Sequence, residues 1–428
     1  MSAIQYHQSL PLSSSDEYVP FQTVDFDLQV PGRKLLAGSI RIEGKVTART
    51  NLTDPWTPAT AGAASSAVDF ASNVKIDNVA GAHSFFDSWT TETQNRGVIE
   101  NLQNYNRYIS MHGRATLAED DFLSSKLVAE QRGPTELNGN YVLQPIVDQA
   151  FVTGQTEQPA QRSKPSFSVK IASAFNRSAG GNYSFDRNGY IRISCILASN
   201  QHVLFGGADG ASYVLSDLVC RYVSVPDDGK DEPILMRSFV NVVSSMQSTS
   251  TTVSARVPSS QVSSLSMSFA EQAHVQSSEY NSMALEQLPE WQSVEFLFAN
   301  SLQNFITYRI TDESDALERG LASMESAGHD MISAKTLKAN KGTIFGLDFK
   351  EFVDLSKQTF TINMKIGDSG ITQAPRDIFM YFNTPQPIAD PNGRPGWSYT
   401  KTAGAEKFNY YFYSGVYETA RLRDIKGM

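Results

Sequence analysis

The sequence predicts an all-β protein of two tandem β-sandwich domains, each with one short inserted helix. Three observations carry this reading. Short stretches of alternating apolar and polar residues recur along the chain, Gly/Asn/Asp clusters separate them, and an order of aromatic strand, helix and further strands returns after about 200 residues. The 428 residues suffice for two large β-domains. With 40% hydrophobic and 19% charged residues, the chain has ample material for buried cores. Its polar residues lean on Ser, Thr, Asn and Gln, and aromatics reach 11%, a balance that suits strands better than exposed helices.

In the first half, QTVDFDLQV (22–30) places Val24, Phe26, Leu28 and Val30 on one face. GSIRIEGKVTA (38–48) does the same with Ile40, Ile42 and Val46, with an irregularity expected at Gly44. YIRISCILA (190–198) and YVLSDLVCRYVSV (213–225) are two further strands, the latter long enough to cross a whole sheet. NRSAGGNYSFDRNG (176–189) and GGADGAS (206–212) read as turns. The acidic, Pro-bounded VPDDGKDEP (225–233) reads as a linker. Domain bounds follow: an N-terminal arm at 1–20, a first domain at 21–225, a linker at 226–235 and a second domain at 236–428.

The second half opens on a Ser/Thr-rich stretch to Leu265, read as loops and edge strands. It continues with strands at 294–300, 304–310, 360–366, 377–383 and 409–422. Helices are expected at ATLAEDDFLSSKLVAEQ (115–131), stopped by Gly133-Pro134, and at TDESDALERGLASMES (311–326), which opens on an acidic capping segment. Leu102-Gln103-Asn104-Tyr105 and Leu302-Gln303-Asn304-Phe305 stand 200 residues apart and tie the halves together. Segments 133–165 and 385–406 are expected as long loops, with Trp397 anchoring the second.

Net charge is −9, and no Lys/Arg run occurs, which argues against gripping nucleic acid directly or reading its sequence. Cys195 and Cys220 make neither a disulfide framework nor a zinc site and read as small apolar residues on neighbouring strands. No signal-peptide pattern or long apolar span is visible, so a soluble protein made in a reducing cytoplasm is expected, with the sequons at Asn51, Asn176 and Asn182 accidental.

The segment GAHSFFDSWTTETQNRGVIENLQNYNRYISM (81–111) gathers His83, Ser84, Asp87 and Glu92. Read as a strand, it sends His83 and Ser84 to opposite faces, and no G-x-S-x-G elbow accompanies them. None of the six histidines forms H-x-H or H-E-x-x-H, and His112 reads as a solvated or core residue. Asp227, Asp228, Asp231 and Glu232 read as a solvated linker before a loose cation site. Glu100, Glu295 and Asp348 are carboxylates in aromatic β surroundings, read as charges on outward strand faces or at interfaces. No catalytic residue, metal ligand or cofactor is expected, and no enzyme.

Three stretches carry a resemblance: VDFDLQVPGRKLLAGSIRIEG (24–44), the 81–111 block, and YVLSDLVCRYVSVPDD (213–228). Together with the layout, they resemble the double jelly-roll major capsid proteins, the hexon-like coat proteins of the adenovirus, tectivirus and polinton-like virus lineage. The resemblance implies two jelly rolls and a homotrimer forming a pseudo-hexagonal capsomer in an icosahedral shell. It also implies a virion location and partners among neighbouring capsomers, penton and minor capsid proteins, and an internal membrane. Phe85, Phe86 and Trp89, with Tyr105 and Phe305 of the repeated motif, are then the expected interface anchors. A viral vertex or spike protein, and a non-viral carbohydrate-binding or hydrolysing β-sandwich, are the alternatives.

Overall fold

The computed structural model describes residues 4–49, 76–116, 130, 166–205, 212–229, 234–299, 305–327, 344–367 and 374–421, apart from isolated residues and short stretches within those spans. The first half contains β1 (Gln5–Ser9), β2 (Glu17–Tyr18), β3 (Thr23–Leu28), β4 (Arg33–Leu35), β5 (Arg41–Arg49), β6 (Phe86–Thr93) and β7 (Gly97–Leu102). It continues with β8 (Ser166–Lys170), β9 (Ala179–Gly180), β10 (Tyr183–Ser184), β11 (Ile191–Leu197) and β12 (Ser212–Pro226). The second half contains β13 (Ile234–Met246), β14 (Ser250–Ala255), β15 (Val262–Glu271), β16 (Trp291–Ala299), β17 (Phe305–Ile310), β18 (Phe345–Val353), β19 (Phe360–Ile366) and β20 (Arg376–Ile388). A separate sheet of β21 (Trp397–Thr402), β22 (Ala405–Tyr411) and β23 (Tyr417–Arg421) follows. Two longer helices are α1 (Tyr105–Thr116) and α2 (Glu313–Ser326).

The halves share one topology. In the first, β8-β5-β12-β1 and β3-β11-β6-β7 are the two sheets, with β2, β4 and β10 as short additions. In the second they are β18-β15-β20-β13 and β14-β19-β16-β17. Numbering each half's eight principal strands from one to eight, both read 6-3-8-1 and 2-7-4-5, which is the jelly-roll order. All the pairings are antiparallel.

Alternation explains the strands. Val24, Phe26 and Leu28 of β3 meet Ile191, Ile193 and Cys195 of β11 inside the first sandwich, all fully buried. Cys195 and Cys220 therefore lie in two facing sheets, as free buried thiols, rather than side by side in one. At Gly44 the irregularity belongs to the partner strand. β12 shifts register between Ser216 and Val219, and a Cβ on Gly44 would stand 2.6 Å from the Leu218 side chain that the bulge pushes inward.

The serines of β15 are central rather than peripheral. Leu265, Met267 and Phe269 fill the second core, while Ser264, Ser266 and Ser268 on the other face are equally buried. The cover is α2, seated close: Ser264 Oγ donates to the Ser323 carbonyl at 2.9 Å, and the Ser266 and Ser323 hydroxyls bond at 2.8 Å. A Cβ on Gly320 of α2 would stand 2.3 Å from the Ile344 carbonyl oxygen. The stretch read as loops and edge strands thus contains one interior strand, made small so that a helix can lie on it. The helix begins as its capping segment predicts, with Asp312 accepting from the Asp315 N–H at 2.8 Å.

Four expectations change. The first helix starts at Tyr105, ten residues before the expected 115, and residues 117–129 lie outside the described ones. Tyr105, Tyr108, Ile109 and His112 recur at helical spacing, but their aromatic and β-branched character reads as strand. Consequently the repeated Leu-Gln-Asn-aromatic motif is out of register. Tyr105 opens a helix after β7, whereas Phe305 opens β17, the strand equivalent to β7. The expected arm at 1–20 supplies β1 and β2, both paired with β12. Within 385–406, β20 runs on to Ile388 and β21 starts at Trp397, and 409–422 holds parts of two strands. The 133–165 segment and the 206–210 turn lie outside the described residues.

Gly320→Val tests the helix–sheet seam. Overpacking against backbone costs about 1–3 kcal/mol, so thermal denaturation of the full chain should show a clearly lowered midpoint.

Candidate functional site

The 81–111 block is the junction between the two sandwiches, and α1 is its centre. Tyr108 stacks on Phe239 of β13 at 4.1 Å between ring centroids, and both rings meet Tyr381 of β20. The adjacent residue, Arg107, is buried, and its guanidinium lies over the Phe379 ring at 4.0 Å and donates to the Ser282 carbonyl. Burial pulls the Arg107 pKa below its ordinary value, while Tyr381, Glu286 and Asp377 oppose that shift. Polar bonds cross the same junction: Asn104 Nδ2 donates to Asn241 Oδ1 at 2.8 Å, and the Tyr381 hydroxyl donates to the Asn104 carbonyl at 3.2 Å.

Asp77 is the hub below the helix. Its carboxylate accepts from the N–H groups of Val79 and Ala80, from Arg114 Nη2 at 2.6 Å and from Asn281 Nδ2 of the second domain at 2.7 Å. Burial alone would raise its pKa, but the Arg114 guanidinium and these hydrogen bonds outweigh burial and hold it below the carboxylate range. Ser110 Oγ, on the same face of α1, donates to the Met283 carbonyl at 2.8 Å. One short loop, 281–283, is thus fastened to the first domain by Asp77, Arg107 and Ser110.

The structure separates the candidate catalytic residues, though not by strand alternation. Gly81–Phe85 is a buried 3-10 turn. His83 Nδ1 meets the Tyr105 hydroxyl at 3.0 Å, and Nε2 faces Glu130 at 3.7 Å. Ser84 is buried, and Asp87 faces His202 at 3.6 Å. Glu92 stands in β6 and pairs in register with Arg192. His112 stacks on Tyr108.

The three scattered carboxylates also stay apart. Glu295 and Asp348 lie in different sheets of the second sandwich, and Glu100 lies in the first. Glu100 is the unusual one, because it points inward. Thr91 donates to it, Ala174 N–H donates at 2.8 Å, and burial pushes its pKa up to about 7.

Asp227 and Asp228 both pair with the buried Lys34, Asp228 at 2.6 Å from an exposed position, and Ser184 donates to Asp227. Asp231 and Glu232 lie outside the described residues. Asn176, within a sequon, spends its side chain on both backbone groups of Ile40 and on the Ile171 carbonyl. Among the described residues one group has metal-ligand spacing, Glu271, His274 and Glu286, with ligand atoms within 4.8 Å of one another. Its members already have partners: His274 Nδ1 meets Glu286 at 2.7 Å and Arg376 meets Glu271 at 3.7 Å. It fastens a single helical turn, Gln272–Val275, to the loop that docks on α1.

Of the expected interface anchors, Phe85, Phe86, Trp89 and Tyr105 are core residues of the first sandwich. Phe85 packs on Tyr213 at 4.9 Å, and Phe86 meets Trp89 edge-on. Large aromatics suit interfaces and cores alike, so their type does not decide between them. Phe305 differs, at 89% exposed on the edge strand β17. The residues that bind the two domains, Asp77, Arg107, Tyr108 and Arg114, were not singled out from sequence. Their signal is two arginines seven apart on one helical stretch rich in apolar residues.

Structural comparison settles the fold. Faustovirus major capsid protein superposes with a TM-score of 0.53 at 10% identity, over 90% of this chain and 90% of that one. This is a double jelly roll. PBCV-1 VP54, fitted into a reconstruction of the virophage Sputnik, gives 0.53 at 10% identity over 96% and 97% of the two chains. A chain of the Sputnik virophage gives 0.51 at 9% identity over 97% and 89%. No family model and no curated relative matches the sequence. The chain thus shares the double jelly-roll fold with these structures at about a tenth sequence identity.

Two outcomes follow from the junction. Tyr108→Ala removes the central ring and should cost about 3–5 kcal/mol, seen calorimetrically as one unfolding transition splitting toward two. Glu100 sets a pH dependence. The folded chain holds its proton up to about pH 7, whereas the unfolded chain releases it near 4.5, the ordinary value for a glutamate. Its contribution is full below that lower value and is lost as pH rises through about 7, a difference on the order of 3 kcal/mol. Glu100→Gln should flatten the stability profile across that window in denaturant titrations.

Proposed function

We propose that this chain is a viral major capsid protein that trimerises into pseudo-hexagonal capsomers and tiles an icosahedral shell. The observation that carries the reading is the junction: two jelly rolls of identical strand order are locked side by side through α1 into one unit. Such a unit carries two equivalent domains, so three copies in a closed ring supply the near-sixfold outline that hexagonal tiling needs. The structures it resembles over about nine-tenths or more of its length include a major capsid protein and chains placed in a virophage. Inward-facing Glu100, and His83 bonded to Tyr105 rather than to Ser84, suit a structural role better than a hydrolytic one.

In this reading the protein resides in the virion. Its partners are neighbouring capsomers, with penton and minor capsid proteins and an internal membrane as further contacts. The exposed Phe305 on β17 is a candidate anchor between subunits. Sedimentation of the purified full chain should give a species of three chains, and electron microscopy should show hexagonal outlines or sheets. A stable monomer that binds oligosaccharides would sink the reading in favour of a carbohydrate-active β-sandwich, and pentameric or fibrous particles would favour a vertex or spike protein.

A further inference from the structure

The two equivalent sheets differ sharply on their outer faces. In the second domain, the β18-β15-β20-β13 sheet is buried on both sides except toward the end of β13, where Val243 is exposed. Ile378, Met380 and Phe382 face their own core, while Phe239, Phe379 and Tyr381 face the first domain and lie under α1. In the first domain, the equivalent β8-β5-β12-β1 sheet turns the Arg221 end of its outer face to solvent. Tyr6 of β1, the strand equivalent to β13, is 84% exposed and stands opposite Val223.

Beside Tyr6 runs a row of cations on adjacent strands. Arg221 of β12 stands opposite Arg41 of β5, and Arg41 stands opposite Lys170 of β8. Like charges directly opposite one another in a sheet are unfavourable. Glu43, which accepts from Arg221, offsets only part of this row. Burial and the nearby Arg41 both lower the pKa of Lys170, as expected where positive charge is crowded.

The complementary charge is on α2. From Asp312 to Glu325 it carries five carboxylates (Asp312, Glu313, Asp315, Glu318 and Glu325) against one guanidinium, Arg319. Its inner face, Ala316, Gly320, Ser323 and Met324, is buried on its own domain, and Glu313, Glu318 and Glu325 point outward. α1 and α2 hold the same place in chain order, each following the fifth strand of its jelly roll. Within the chain, α1 reaches across to the outer face of the next domain's sheet.

We propose that α2 repeats this between molecules: the acidic side of α2 of one copy docks on the Tyr6–Arg221–Arg41 face of the next copy's first domain. The contact is head-to-tail, the kind that forms a ring when the rotation between copies closes. The proposal rests on the ring assembly proposed above and names the surfaces that close it.

Charge exchange in the full chain tests it. R41E/R221E and E313K/E318K should each weaken ring association about tenfold or more, and raising the salt should weaken the wild type. Combining both sets in one chain should restore association, read by mass photometry across a concentration series. Circular dichroism melts check folding. Tyr6→Ser, at an exposed position, gives a second probe and should also weaken association.

A wild-type ring indifferent to all these changes, or a combined variant no better than either parent, overturns the docking face and leaves the ring reading standing. A wild type monomeric at every concentration overturns the ring reading itself. Nucleic acid binding lost in R41E/R221E, with association untouched, assigns the cationic row to nucleic acid and overturns the proposal.

Discussion

The arrangement of this protein turns on what it takes to bury charge at the junction of its two jelly rolls. Asp77 and Arg114 lie at the bottom of that junction, and each would be costly there alone, because removing a charge from water without a partner costs several kcal/mol. They are tolerated because the surrounding N–H groups, Ser110 and Asn281 complete the coordination, and Asn281 comes from the other domain. The network is therefore satisfied only when both domains are in place. Apolar contact between Tyr108, Phe239 and Tyr381 supplies the larger share of cohesion. The polar hub fixes the rotation, since a slide of one domain would strand buried charge.

The second constraint is thickness. A sheet with both faces buried needs short side chains wherever a helix must approach its backbone. β15 meets this with alternating serines, and α2 with Gly320 and Ser323. Among the described residues the first domain shows no such seam on its corresponding sheet, where Arg41, Glu43 and Lys45 face outward. The same topology thus serves an inner wall in one half and an outer wall in the other, and the side chains record which is which.

Strand periodicity made much of the fold legible in the sequence. β19 matches its expected limits, and β3, β11, β12 and β17 fall within one or two residues of theirs, because a half-buried strand must alternate. The helix α2 was legible from its cap. The helix α1 was not, since Tyr105, Tyr108 and Ile109 are as suited to a strand, and their burial against the other domain is a tertiary fact. For the same reason the aromatics of 81–111 pointed to a contact surface when four of the expected anchors are core. The junction hub was out of reach, because Asp77 and Asn281 are 204 residues apart and neither belongs to a motif.

The two-residue strand β9 belongs by sequence to the first jelly roll, yet it hydrogen-bonds to Ile234 and Leu235 at the start of β13. During synthesis the N-terminal half is complete first, since domains fold as units in the order they emerge. Among the described residues β9 has no other strand partner, so Ala179–Gly180 and the leading residues of β13 form this pairing together once the second half is present. An open edge is where a nascent β-domain pairs with the wrong chain. The start of β13 is thus capped by a segment of the preceding jelly roll, a link between the halves that their shared topology does not include.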